Sequence, residues 1–190
     1  DSLHNLTVGN GVQIAGDVTA SATGATSGAD MNIAVAGTVP FVLTADSVLI
    51  SGDVSVVDST VVRNIQFDAP FIKVSGDATV ANLGALTLGK DATSYVQVVG
   101  ELTANDGGTF ETYANDLFVG SLSGNGKFAV HGANITANAG DIDIDGNLYF
   151  DAINDPAAPT AGMIVRDTTA LTLNTTAAGA DISVGAAFVG

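Results

Sequence analysis

Apolar and polar residues alternate along most of this chain, and glycine punctuates the alternation. Around Gly76 the pattern runs Val74, Gly76, Ala78, Val80 with polar or small residues between, the period-2 signature of strands with one buried face. No window combines a helical period with helix-forming residues. Val, Ile and Thr fill the strand-like runs, while Gly, Asn and Asp mark the turns between them. The elements predicted are therefore strands almost throughout.

A hydrophobic-x-Gly-acidic start recurs along the chain. It reads Ile50-Ser51-Gly52-Asp53, Val74-Ser75-Gly76-Asp77, Val98-Val99-Gly100-Glu101 and Leu122-Ser123-Gly124-Asn125. The glycine steps are 24 residues each (76−52, 100−76, 124−100). Ile144-Asp145-Gly146-Asn147 is a looser later copy, and Ile14-Ala15-Gly16-Asp17 an earlier one. Two positions past the glycine lie Val54, Ala78, Leu102 and Gly126; four past lie Val56, Val80, Ala104 and Phe128. Phe71, Tyr95 and Val119 recur later in the unit.

A fixed period of this size with internal alternation predicts an all-β, β-solenoid-like stack with rungs of 24 residues. An antiparallel β-sandwich or jelly roll is the alternative, since hairpins can mimic such a spacing. In the stack, Gly52, Gly76, Gly100 and Gly124 are the rung corners, and Val54, Val56, Val80, Leu102 and Phe128 face the core. Residues 1–153 form the β-repeat domain, interrupted by a flexible small-residue insertion at 21–32. A proline-containing linker follows at 154–162, because proline ends sheet pairing. Residues 163–190 read as short strands that cap the stack or, through 181–190, exchange between subunits.

Composition sharpens this picture. Of the 190 residues, 46% are apolar and only 13% charged, about half the usual charged share, so interfaces between subunits are the natural place for surplus apolar surface. Every apolar run is broken well short of a membrane span. Net charge is −15, with basic residues only at Arg63, Lys73, Lys90, Lys127 and Arg166. Nothing there neutralises a phosphate backbone, so nucleic acid is not an expected partner. The absence of cysteine excludes disulfides, thiolate metal sites and cysteine nucleophiles. A chain opening on Asp1 is expected to have lost a leader or prosegment, the alternative being that it is part of something longer.

Catalytic signatures are few. His4 lies near a terminus and His131 in a predicted turn before Gly132; both read as surface residues, in no zinc-binding spacing. There is no nucleophile elbow, and no glycine-rich loop leads into a helix. Paired carboxylates of a polysaccharide-cleaving solenoid would want aromatic platforms, yet aromatic residues are only 6% and tryptophan is absent. No catalytic residue and no cofactor is therefore assigned. Asp141, Asp143 and Asp145, followed by Gly146, have the spacing that opens a calcium loop, which makes structural calcium a candidate ligand. Ala152 stands where that loop wants a bidentate Glu, and Ile142 and Ile144 suit a strand whose aspartates face solvent.

Asn5-Leu6-Thr7-Val8-Gly9-Asn10, Ala15-Gly16-Asp17-Val18-Thr19 and Ile144-Asp145-Gly146-Asn147-Leu148 resemble repeats of phage tail-fibre and head-decoration proteins. Pro159-Thr160-Ala161-Gly162-Met163-Ile164-Val165-Arg166-Asp167-Thr168-Thr169 is similar to a segment of fibre-like phage and bacterial surface proteins. Similar repeats occur in adhesins and bactofilin-like filament proteins. The resemblance implies a non-enzymatic structural component of a virion, a decoration, head-fibre or tail-fibre protein. The alternative is a secreted cell-surface protein that polymerises into a filament or sheath, or acts as an adhesin. Expected partners are copies of itself and capsid or cell-surface components.

Overall fold

A computed structural model describes residues 12–13, 17–20, 41–132, 134–151, 161–166 and 170–189. The expected insertion at 21–32 lies outside these residues, as does the linker at 154–162 except for its last two positions. The described residues are all β, with no helix, and their strands pair into one curled sheet.

Every described pairing is parallel, so the antiparallel sandwich does not describe this chain. The pairings sort into three ladders. The first runs from β2 (Asp17–Ala20) through β4 (Ser47–Ile50), β6 (Phe71–Val74), the start of β8 (Tyr95–Asn105), the start of β10 (Asp116–Gly124) and β12 (Asn134–Ala137) to β16 (Thr172–Thr175). The second takes the start of β5 (Val54–Asp68), the start of β7 (Ala78–Leu88), the ends of β8 and β10, β13 (Ile142–Ile144) and β17 (Ile182–Val184). The third begins with β1 (Val12–Gln13), β3 (Phe41–Thr44) and the ends of β5 and β7. It continues through β9 (Thr109–Thr112), β11 (Lys127–Val130), β15 (Gly162–Arg166), β14 (Leu148–Asp151) and β18 (Ala187–Val189).

From β4 to β14 the chain visits the ladders in constant order, and alternation along each strand turns into columns across them. Val48, Ile72, Val96, Leu117, Ile135 and Leu173 form one such column. Val54, Ala78, Leu102, Leu122, Ile142 and Ile182 form another. In the third ladder Ile65, Leu86, Phe110, Phe128 and Met163 align, with the Phe110 and Phe128 rings 6.5 Å apart and tilted. These columns meet in a single buried core that includes Val54, Val56, Val80, Leu102 and Phe128. Each fully buried side chain of this size contributes about 1.5–3 kcal/mol. Thr112 also lies in the core, and its hydroxyl is satisfied by the Ala114 amide at 3.2 Å, a bond within its own turn.

Two features depart from the uniform period. The register is 24 residues from β6 to β8 (Phe71 against Tyr95) but 18 from β9 to β11 (Phe110 against Phe128). Val119 consequently pairs with Val98, and Asp116, not Val119, sits opposite Tyr95. The second feature is β15, which lies between β11 and β14, so the third ladder departs from chain order. The described strands β15 to β18 thus extend the ladders built by the earlier residues.

Candidate functional site

The hydrophobic-x-Gly-acidic repeat produces a ladder of its own at the corner between the first two ladders. The Gly76 amide donates to the Gly52 carbonyl at 3.0 Å, and Gly100 to Gly76 at 3.0 Å. Alongside, Asp53 Oδ1 accepts the Asp77 amide and Asp77 Oδ1 accepts the Glu101 amide, each at 2.8 Å. The acidic residue therefore caps the backbone of the next strand while its glycine lets the two backbones approach. A Cβ at Gly76 would stand 2.8 Å from the carbonyl carbon and oxygen of Gly52 and collide with Asp53 Oδ1. Gly52, Gly76 and Gly100 are not among the positive-φ glycines, so close approach, not unusual φ, makes glycine necessary at Gly76 and Gly100.

Gly124 lies elsewhere. Glu101 pairs with Ser121 and Thr103 with Ser123, which puts Gly120 over Gly100 and Gly124 against Ala104. The 24-residue step to Gly124 was a coincidence of spacing; the structural step from Gly100 is 20 residues (120−100). A bulge between Val119 and Ser121 takes the register from 21 residues (119−98) to 20 (121−101).

Asp141, Asp143 and Asp145 alternate with Ile142 and Ile144 along β13: the aspartates are exposed and the isoleucines buried. Asp141 Oδ1 accepts the Asp181 amide at 2.8 Å, the same capping bond as at Asp53. Asp143 pairs with Ser123 on one side and Ser183 on the other. Among the described residues no group of three or more His, Asp or Glu side chains is placed to hold a metal ion.

The outer surface of the third ladder gathers polar chemistry that the repeat did not announce. Across β5, β7 and β9, Asn64, Ala85 and Thr109 form one outward row, and Gln66, Thr87 and Glu111 a second. With Ile65 and Tyr113 they line a depression of about 220 Å³. At its edge His131 lies 3.0 Å from Glu111 through Nε2 and Oε1; a carboxylate only accepts, so Nε2 carries the proton. The His131 side chain is only 17% exposed, and its ring packs on Tyr113 with centroids 4.4 Å apart. The expected surface histidine is thus a packed and bonded one. The bond from His131 holds the Glu111 carboxyl below its usual value; burial opposes this, and the charges of His131, Arg166 and Lys127 reinforce it. The 18-residue register that brings Glu111 level with Ala129 also stacks Tyr113 beside His131, and the 24-residue period hid that neighbourhood.

On the outside of the first ladder, Phe71, Tyr95 and Phe118 stack in a row. Phe71 and Tyr95 are 5.1 Å apart at 8°, and Tyr95 and Phe118 are 5.4 Å apart at 26°. Phe71 and Tyr95 remain 38% and 36% exposed. Comparison with protein-family models, curated proteins and solved structures found no match to this chain.

Proposed function

We propose that the chain is a three-sided β-solenoid whose role is mechanical: a non-enzymatic structural subunit of a fibrous assembly at a virion or cell surface, joined to copies of itself end to end. The observation that carries this reading is the end of the second ladder. Val54, Ala78, Leu102, Leu122 and Ile142 are buried to 2% exposure or less, yet Ile182, next in the same column, is 44% exposed. Leu173 and Val184, which continue neighbouring columns, are only partly buried. Among the described pairings β16, β17 and β18 are bonded on one side only. An apolar column beside strand edges with no described partner is a template for another strand. Because every described ladder is parallel, the two ends of the stack differ, and a join that continues the parallel pairing brings one end onto the other. Such head-to-tail contacts build open fibres.

The exposed Phe71 and Tyr95 favour a second reading, in which copies associate side by side into a closed virion fibre through this row. Light scattering with negative-stain imaging of the chain and of Ile182→Asp separates the two. Open-ended fibres lost in the variant support end-to-end assembly. Closed oligomers that survive Ile182→Asp but not Tyr95→Asp support the virion reading. A chain that stays monomeric at about 100 μM, well above the micromolar range of specific interfaces, overturns both.

A further inference from the structure

From the groove on the outer face of the third ladder we infer a binding site for a neutral, hydroxyl-rich ligand, a short stretch of an uncharged oligosaccharide. The groove crosses β5, β7 and β9, and parallel strands lie about 4.8 Å apart, so the outer two are separated by about 10 Å. Along that span the outward side chains are the amides of Asn64 and Gln66, the hydroxyls of Thr87 and Thr109, and the carboxylate of Glu111. Amides and hydroxyls both donate and accept, which suits hydroxyl groups that do the same. Tyr113, braced by His131 behind it, supplies an aromatic wall at one end.

The other ligand classes fit less well. An anionic chain would meet Glu111 and a molecule of net charge −15. An amine would find Glu111 already bonded to His131. An apolar ligand would meet only Ala85 and Tyr113 among the outward side chains. An added peptide strand would need a free edge, and β7 is bonded on both sides here, to β5 and β9. The inference does not depend on how the subunits assemble, since the groove lies on a side of the stack and not at its end.

The test is saturation-transfer NMR with calorimetry, using maltohexaose, cellohexaose, chitohexaose and mannohexaose, with polygalacturonate as the anionic comparison. At least one neutral oligomer is expected to bind, with an affinity insensitive to salt. Gln66→Ala and Thr87→Val are each expected to weaken it about tenfold, the loss of one well-made hydrogen bond. Two substitutions on different strands guard against misfolding in either, and unchanged circular dichroism and unfolding midpoints establish that each variant folds. Failure of all four neutral oligomers to bind overturns the inference. So does binding that both folded variants retain in full, or tighter binding of polygalacturonate.

Discussion

A single methyl group added at Gly76 tests the corner ladder directly. Gly→Ala changes at unstrained positions ordinarily stabilise a protein by about 0.4–1 kcal/mol, because they restrict the unfolded chain. At Gly76 the new Cβ would sit 2.8 Å from the Gly52 carbonyl and overlap Asp53 Oδ1, so two backbones and a capping carboxylate must separate. Forced overpacking costs about 1–3 kcal/mol. Loosening the Asp53–Asp77 bond adds about 1 kcal/mol, kept low because that bond is exposed. The net expectation is a loss of about 2 kcal/mol. With a urea m-value of about 2 kcal/mol/M, this moves the unfolding midpoint down by about 1 M. Asp53→Ala alone removes the bond without the overlap and should cost less. In the double variant the carboxylate no longer collides with the methyl, so the two effects should fall short of additive. A Gly76→Ala midpoint equal to or above that of the parent would refute the close-approach argument.

Glu111 predicts a pH signature. Its carboxyl is held below the ordinary value of 4.5, so its contribution to stability is complete above that value and is lost as pH falls through the lower folded value. The difference in urea midpoint between the parent and Glu111→Gln should therefore be full at neutral pH and shrink below pH 4.5; a difference that grows there would contradict the assignment. At β13, Asp141→Ala should speed amide exchange at Asp181, whose N–H it caps, and leave exchange in β7 unchanged. Because the aspartates of β13 point outward between buried isoleucines, chelator treatment is expected to leave the thermal midpoint unaltered; a calcium-dependent rise abolished by Asp143→Asn would assign the metal site after all.

Strand content and inward faces were legible because alternation is enforced locally: one buried face requires it, and Val74, Ala78 and Val80 display it. Gly76 and Gly100 were legible for a different reason, a close backbone approach that recurs with the repeat and leaves no room for a side chain. Legibility failed where the circuit shortened. Val119-Gly120-Ser121-Leu122 repeats Val99-Gly100-Glu101-Leu102 at 20 residues, a signal masked by the chance glycine at 124. Once that register was missed, Glu111, Tyr113 and His131 had no reason to meet, since their proximity depends on how many residues the intervening corners use. The position of β15 was not legible either, because nothing in Gly162–Arg166 states which two strands it will separate.

That position has a consequence for how the chain emerges from the ribosome. Through β11, each strand of the third ladder can dock on one already made, so folding can follow synthesis in step. β14 breaks this sequence: its described neighbours are β15 and β18, both synthesised later. Residues 148–151 must therefore wait for 162–166, an interval of 11 residues (162−151), or about a second at common elongation rates. During that interval β11 offers a vacant edge to any strand in reach, including the β15 of a neighbouring nascent chain. Pausing within this short stretch of message is where exchange between chains would begin.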